Sequence, residues 1–185
     1  MWTDKYSPKE SSQIVGNRAA IDSLWEWVSD WEDVVIKGNK KQTNAWFGNW
    51  ADAPKPNAKA CLISGNCGIG KSTAARVICK ELGFEVLEMN ASEQRNKKVI
   101  DEMIGNLSTN QSMDYFKPGT NMAKQGKKSV IIMDEIDGLG GSDRGGVAAV
   151  IQVIKNTKTP IICICNDRYN QKLRSLTNYC FDVKF

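Results

Sequence analysis

Residues 63–73 read ISGNCGIGKST, and this stretch decides the fold class. It matches the phosphate-binding spacing G-x-x-x-x-G-K-[ST]. The fixed positions of that spacing are Gly65, Gly70, Lys71 and Ser72. In such loops the glycines let backbone N–H groups turn toward phosphate oxygens, the lysine meets the β- and γ-phosphates, and the hydroxyl holds Mg²⁺. Because a short pattern can arise by chance, a strand has to precede it and a helix has to follow it.

The flanking sequence supplies both elements. ACLIS (60–64) is a short apolar run typical of a buried strand, and KSTAARVICKELG (71–83) has helical spacing and ends at Gly83. Asn66 and Cys67 occupy variable positions, so we expect them to alter the flexibility of the loop more than its phosphate contacts. The predicted nucleotide contacts in this unit are Gly65, Asn66, Cys67, Gly68, Ile69, Gly70, Lys71, Ser72 and Thr73.

Further short apolar runs continue the pattern. They are FEVLEM (84–89), SVIIMD (129–134), PIICIC (160–165) and YCFDVKF (179–185). Segments with helical spacing separate them, which predicts a three-layer α/β fold: a five-stranded parallel sheet covered by helices on both faces. The Gly-rich loop makes this the P-loop NTPase type of α/β core.

The amino-terminal third is organised differently. NRAAIDSLWEWVSDWEDVV (17–35) predicts a helix whose buried face carries Ile21, Leu24, Trp25 and Val28. For Trp25, Trp27 and Trp31 we favour core and partly buried packing over a stacking platform. Residues 37–59 are mostly polar and include two prolines, which predicts a surface insertion. The predicted division is 1–36, 37–59 and 60–185, within a single domain.

Composition bounds the class of protein. The chain has 185 residues, 41% of them hydrophobic, and a net charge of +4, which permits contact with a polyanion without requiring it. MWTDKYSPKESSQIVG contains no apolar signal core and no run of 18 apolar residues occurs, so we expect a soluble intracellular chain without a membrane partner. Cys61, Cys163 and Cys165 lie in apolar runs and are predicted to be reduced core thiols rather than metal ligands or disulfide partners.

Carboxylates and an amide follow two of the predicted strands. In SVIIMDEIDG, Asp134 ends a strand and is predicted to bind Mg²⁺ through water, while Glu135 is predicted to polarise the water that attacks the γ-phosphate. The alternative is that both are ordinary strand-end carboxylates. Asn166, after PIICIC, is predicted to hydrogen-bond the γ-phosphate or the attacking water, although asparagine also ends strands for turn reasons.

The order of phosphate loop, DEID and strand-terminal asparagine resembles the AAA+ ATPases, and several stretches are similar to the large subunits of replication factor C clamp loaders. These stretches cover nearly the whole chain. They are WTDKYSP, IVGN, ELGFEVLEMNASEQR, IIMDEIDGLGGSDRGG, PIICICNDR and YCFDVKF. NASEQR and DRGG are more discriminating than the phosphate loop, because they separate clamp loaders, and large subunits in particular, from other ATPases.

The resemblance implies a function. The chain would be the ATP-binding subunit of a hetero-pentameric clamp loader, with ATP and Mg²⁺ as cofactors and small loader subunits, a sliding clamp and primer–template DNA as partners. It would open the clamp and load it onto DNA, and ATP hydrolysis would trigger release. The location would be the nucleus in a eukaryotic host and the cytoplasm otherwise.

The resemblance also implies residue roles. Lys71, Glu135 and Asn166 would be catalytic, with Asn166 sensing the γ-phosphate, and Thr3 and Val15 would line the adenosine pocket. Arg95 of NASEQR and Arg144 of DRGG match positions that face the DNA phosphate backbone, against the alternative of solvated surface arginines. QSMDYFKPG resembles the peptide that fills the surface pocket of the clamp, against the alternative of local core packing. Its anchors would be Met113, Tyr115 and Phe116.

Departures from the family pattern carry their own expectations. Tyr179 in TNYCF occupies the place of the arginine finger of small subunits, so we expect this chain to receive an arginine from a neighbour rather than to donate one. Arg168 or Arg174 acting in cis is the less favoured alternative. Ser7 replaces the usual arginine of the amino-terminal box. The helical lid and collar of the family are absent from the sequence, so we expect a fragment or shortened product. A loader of checkpoint or alternative clamps and a nucleotide-binding scaffold without hydrolysis both remain open; Glu135 argues against the scaffold.

Overall fold

A computed structural model describes residues 2–41, 55–91, 128–139 and 145–185. The α-helices are α1 (Trp2–Lys5), α2 (Arg18–Trp31), α3 (Lys71–Glu81), α4 (Gly145–Asn156) and α5 (Arg174–Thr177). Ser11–Gln13 and Ile136–Gly138 are 3₁₀ turns, and Glu32–Ile36 continues α2 as a π-helical turn. The strands are β1 (Ala60–Ser64), β2 (Glu85–Asn90), β3 (Ser129–Asp134), β4 (Ile161–Cys165) and β5 (Cys180–Lys184).

The strands form one parallel sheet in the order β2-β3-β4-β1-β5. Each strand begins and ends within one residue of its predicted bounds, and the predicted α/β fold with a five-stranded parallel sheet is confirmed. Because all strands point the same way, the residues that follow β1, β3 and β4 lie along one edge of the sheet. That edge is where the phosphate loop, the acidic segment and Asn166 meet.

Alternation along the strands divides the core into two layers. Leu62, Ile131 and Cys163 pack in the layer that α4 covers, whereas neighbouring strand residues such as Ile63 and Ile132 face the layer covered by α2 and α3. Both layers are apolar because a parallel sheet with helices on each face has no solvent-facing side. Cys61, Cys163 and Cys165 are buried in these layers, as predicted.

The buried face of α2 differs from the prediction at one tryptophan. Ile21, Leu24 and Val28 are buried as expected, but Trp25 is 39% exposed. The apolar stripe instead continues through Ala20, Trp27 and Trp31. With about 100° of rotation per residue, Trp25 lies on the far side of Ile21 from the centre of that stripe. The predicted packing is confirmed for Trp27 and Trp31, whereas the prediction that Trp25 lies on the buried face is wrong.

Side-chain hydrogen bonds hold residues 57–59, just ahead of β1, against α2 and Lys41. Trp27 Nε1 donates to the Ala58 carbonyl at 3.1 Å, and Trp31 Nε1 donates to the Lys59 carbonyl at 2.9 Å. Lys41 and Asn57, which we call the stem, bond reciprocally: Lys41 N donates to Asn57 Oδ1 at 2.9 Å and Asn57 Nδ2 donates to Lys41 O at 3.0 Å. The predicted domain division stays a prediction. Within the described residues no helix has the length and apolar character needed to cross a bilayer.

Candidate active site

The phosphate loop connects β1 to α3 and ends in a left-handed glycine. Gly70 has φ +93° and caps the helix, a conformation that side chains rarely adopt. The first helical hydrogen bond runs from Ala74 N to Gly70 O at 2.8 Å, so the N–H groups of residues 71–73 have no acceptor one turn back within the helix. Arg76 holds α3 against β2 through a two-pronged ion pair with Glu88. The helix therefore presents its donor end at the edge of the sheet.

Lys71 is the centre of the site. It is only 6% exposed, and its Nζ donates to Gly65 O and Asn66 O at 2.8 Å each and to Asn166 Oδ1 at 2.9 Å. An ammonium group has three protons, and each has an acceptor here. The loop and the end of β4 are thus joined through one cation.

Ser72 and Asp134 meet beside it. Ser72 Oγ donates to Asp134 Oδ2 at 2.5 Å, and Glu135 N donates to the other carboxylate oxygen at 2.8 Å. Asp134 is half-buried at the carboxyl end of β3. A hydroxyl and a carboxylate in contact form an oxygen-rich donor set of the kind that Mg²⁺ takes together with nucleotide phosphates.

Glu135 turns away from the strand direction. It has φ +54° and is exposed, and Asn90 Nδ2 at the end of β2 donates to its Oε2 at 3.0 Å. Glu135 also takes part in a further interaction. Sequence reasoning did not single out Asn90, although it lies in the quoted NASEQR stretch, because the pairing depends on β2 being the neighbour of β3.

Asn166 follows β4 and is anchored by a second acidic residue that sequence reasoning assigned no role. Its side-chain Oδ1 accepts from Lys71, and its backbone N–H donates to Asp137 Oδ2 at 3.0 Å. Asp137 is the last residue of DEID. The only signal for it in the sequence was its place in that motif.

The residues present fit a Mg²⁺–nucleotide. A Cβ built on Gly65 would lie 2.7 Å from Ile69 Cδ1 and 2.8 Å from Phe185 O, so only glycine lets the loop backbone lie this close to the end of β5. Around the loop are the donor end of an 11-residue helix, a buried ammonium, a hydroxyl and a carboxylate. Donors for phosphate oxygens and oxygen ligands for a hard cation are therefore adjacent.

The remaining predicted loop residues surround this centre. Asn66, Cys67, Gly68 and Ile69 are exposed, and Thr73 is half-buried in the first turn of α3. Thr3 lies in α1, and Val15, after the first 3₁₀ turn, is 97% exposed. This amino-terminal segment is tied to the far end of α3, where Ser11 N donates to Glu81 Oε2 at 2.9 Å. The predicted adenosine pocket stays a prediction.

Other predicted residues lie outside the described part of the chain. These are Arg95, Arg144, Met113, Tyr115 and Phe116. Of the two arginines considered for a cis role, Arg168 forms an ion pair with Asp182 at 2.9 Å and its side chain is 13% exposed, while Arg174 begins α5 and is exposed. Tyr179 lies beside Lys155, whose Nζ is 4.9 Å from the ring centre.

Comparison with known proteins agrees with this geometry. The sequence model of the ATPase family associated with various cellular activities (AAA) matches residues 61–185. Replication factor C subunit 1 of Oryza sativa subsp. japonica is 41% identical over 190 residues, covering 100% of this chain and 18% of the relative. The Homo sapiens protein of the same name is 37% identical, covering 100% of this chain and 16% of the relative. The replication factor C large subunit of Methanococcus aeolicus is 38% identical, covering 99% of this chain and 32% of the relative.

These comparisons confirm the resemblance predicted from the motifs. The chain spans between 16% and 32% of the length of these three curated relatives. The family match covers the sheet from β1 onward, including the phosphate loop, the acidic segment and Asn166. The chain belongs to the AAA family of ATPases.

Proposed function

We propose that this chain is the ATP-binding core of a clamp-loader large subunit. In this proposal ATP binding lets the loader grip and open a sliding clamp at primer–template DNA, and hydrolysis releases it. One observation carries the proposal. Lys71, Ser72, Asp134 and Asn166 meet in a chain that is 37–41% identical over its whole length to replication factor C large subunits.

Each residue has a chemical task in the proposal. Lys71 exchanges its acceptors in the loop for phosphate oxygens, and the helix N–H groups of residues 71–73 bind the same anion. Ser72 and Asp134 supply the metal ligands. Mg²⁺, when bound there, neutralises charge on the β- and γ-phosphates. The side-chain amide of Asn166 senses the γ-phosphate.

Glu135 is the residue proposed to orient the attacking water and to accept its proton. Its hydrogen bond with Asn90 has to be exchanged for one with water before it can act. ATP hydrolysis would thus respond to any event that shifts the end of β2. A scaffold without hydrolysis would have no use for this carboxylate.

An arginine from a neighbouring subunit is proposed to complete the site. Arg168 is paired with Asp182, which argues against a cis role for this arginine and so supports an arginine supplied in trans. An arginine supplied in this way is worth roughly 10³ to 10⁵ in rate. The isolated chain should therefore bind nucleotide and turn it over slowly.

The remaining assignments extend the proposal. The segment 1–36 would contribute the adenosine pocket through Thr3 and Val15, 37–59 would be a surface insertion, and 60–185 the catalytic core. Primer–template DNA would contact Arg95 and Arg144. The clamp would bind the segment 113–116 at Met113, Tyr115 and Phe116. The partners would be small loader subunits in a hetero-pentamer, located in the nucleus of a eukaryotic host.

ATP turnover by the full-length protein tests the proposal, measured alone and with small subunits, clamp and primed DNA. We expect nucleotide binding with little turnover alone and a large increase in the assembly. Lys71→Ala should abolish that increase, whereas Lys80→Ala, a charge removal at an exposed position on the same helix, should not. Glu135→Gln should keep nucleotide binding and lose turnover.

Other outcomes separate the alternatives. Robust turnover by the isolated full-length subunit would point to an arginine in cis. Nucleotide binding without turnover, even in the assembly, would favour the nucleotide-binding scaffold. Unchanged hydrolysis in Glu135→Gln would remove the catalytic assignment of Glu135. Stimulation by a checkpoint or alternative clamp, and not by the replication clamp, would identify the related loader.

A further inference from the structure

We propose that Asp137 is a positioning residue that holds the backbone at Asn166 and thereby sets where the Asn166 side chain lies beside Lys71. The inference rests on the proposed function and deepens it. It concerns a carboxylate whose hydrogen bonds, among the described residues, go to the end of β4 rather than to the phosphate loop or Ser72.

The need for such a residue comes from the sheet register. β3 and β4 pair only from Ile131↔Ile161 to Met133↔Cys163. After that point the chain leaves the strand at Glu135, which has φ +54°, and enters the 3₁₀ turn Ile136–Gly138. On its other side β4 pairs with β1 as far as Cys165. Asn166 is therefore the first residue after β4 and lies beyond both ladders.

Beyond the ladders, the carboxylate of Asp137 supplies the acceptor for the backbone N–H of Asn166. Its Oδ2 accepts the N–H of Asn166 at 3.0 Å and, more weakly, that of Asp167 at 3.5 Å. A carboxylate accepting backbone N–H groups makes a charge-assisted bond, stronger than one between neutral groups. The main chain at Asn166 is thus tied to the β3 side of the site.

Asp137 is itself well anchored. It lies in a 3₁₀ turn closed by Gly138 N donating to Glu135 O at 2.9 Å and Leu139 N donating to Ile136 O at 3.2 Å. Ile136, the residue before it, is fully buried in the core. The turn therefore provides a fixed point from which a short side chain can hold its neighbour.

The consequence for Asn166 follows from its exposure and size. Asn166 is solvent-exposed, so core packing does not fix its side chain. An asparagine side chain is short, so a shift of its backbone moves Oδ1 by a similar amount. Oδ1 lies 2.9 Å from Lys71 Nζ, and a displacement of about 1 Å would break that contact. The acidic segment that carries Asp134 and Glu135 therefore also positions Asn166.

A double-mutant cycle tests this in the full-length protein assembled with small subunits, clamp and primed DNA. The variants are Asp137→Ala, Asn166→Ala and the double variant. We expect Asp137→Ala to lower kcat roughly 10- to 100-fold, by analogy with the loss seen when a group that orients a metal ligand is removed. The double variant should be no slower than Asn166→Ala alone, because Asp137 acts through Asn166.

Two comparisons separate positioning from mere structural support. Asp137→Asn keeps a neutral acceptor and should recover part of the lost kcat. Asp167→Ala removes the neighbouring carboxylate, which accepts the Tyr169 N–H at 2.9 Å, and should leave kcat within about threefold. If Asp137→Ala fails to assemble, the cycle is run with Asp137→Asn in its place.

Failure of the proposed function and failure of the role proposed for Asp137 give different results. No Lys71-dependent turnover in the wild-type assembly would remove the proposed function, and this inference with it. Wild-type turnover that Asn166→Ala slows and neither Asp137 variant changes would overturn the inference alone. Losses that multiply in the double variant would do the same, since Asp137 would then act independently of Asn166.

Discussion

Substitution of Gly65 by alanine should loosen the phosphate loop from the sheet. The added Cβ would lie 2.8 Å from the Phe185 carbonyl oxygen and 2.7 Å from Ile69 Cδ1, at a residue with φ +154°. Ile69 is a partly exposed side chain and can rotate away. The Phe185 backbone cannot, because its N–H donates to Ser64 O at 2.8 Å.

The cost follows from that contact. Reaching an ordinary separation of 3.4 Å requires the loop and the end of β5 to part by about 0.6 Å, which weakens the Phe185–Ser64 bond. Loss of one hydrogen bond at about 1 kcal/mol and backbone strain of about 1–3 kcal/mol give roughly 2–4 kcal/mol. At about 2–4 °C per kcal/mol for a unit of this size, the midpoint of the thermal transition that unfolds these 185 residues should fall by roughly 4–16 °C.

Thermal unfolding and ATP binding of the full-length protein measure the effect, with Gly83→Ala as control. Gly83 also has positive φ, at +80°, but a Cβ added there would meet no described atom within 4 Å, and the residue lies at the other end of α3. Gly65→Ala should destabilise more than Gly83→Ala and weaken ATP binding at least about tenfold, equivalent to about 1.4 kcal/mol. Equal destabilisation by the two variants, with ATP affinity intact, would refute the steric reasoning.

Three further predictions rest on other contacts. Cys67 is the one exposed cysteine of six, so iodoacetamide should alkylate it first, and bound ATP should slow that reaction. Peptide mass spectrometry measures the alkylation of each cysteine. Burial raises the pKa of Cys79 and of Cys165 to about 12, so between their ordinary pKa of 9.0 and 12 only the unfolded chain loses these protons. The stabilisation from each buried thiol is fully present below pH 9 and is lost as the pH rises above it. The free energy of unfolding, measured by urea denaturation, should therefore fall by roughly 1 kcal/mol per thiol between about pH 9 and 10. Asn90→Ala removes a hydrogen bond that holds Glu135, worth on the order of 1–2 kcal/mol, and should raise turnover without DNA or clamp several-fold.

Each of these has a contrary result. Alkylation of buried thiols at the same rate as Cys67 would contradict the described core. A pH dependence that is the same in Cys79→Ala as in wild type would exclude that thiol as a cause. Slower or unchanged turnover in Asn90→Ala would mean that the hydrogen bond with Asn90 does not restrain Glu135.

The strands and α3 could be predicted because their signals are local. Short apolar runs fall between turn residues, and a Gly-rich loop can join a strand to a helix in few ways. The meeting of Lys71 with Asn166 and of Ser72 with Asp134 follows from parallel strands ending at one edge. These pairings need no knowledge of side-chain detail beyond the motif positions.

The roles of Asn90 and Asp137 could not be obtained in the same way. Asn90 reaches Glu135 only because β2 lies next to β3 and Glu135 adopts a positive φ. Asp137 reaches Asn166 because the ladder between β3 and β4 stops at Met133. The prediction for Trp25 was wrong for a related reason. Apolar residues lie around much of the circumference of α2, and only the position of the sheet decides which of them are buried.

The reciprocal bonds between Lys41 and Asn57 have a practical consequence for engineering. They join two chain positions ahead of β1, and Lys41 Nζ is further held by Glu26 and Asp30 at 2.6 Å each. The entropy of closing a loop grows only with the logarithm of its length, about 0.6 kcal/mol for each doubling. A tag or affinity handle inserted in the chain between the two stem residues should therefore cost little stability, because Lys41 and Asn57 already hold the ends of the insertion together. The stem precedes β1 and the phosphate loop follows it, so the length of this strand separates the insertion point from Lys71.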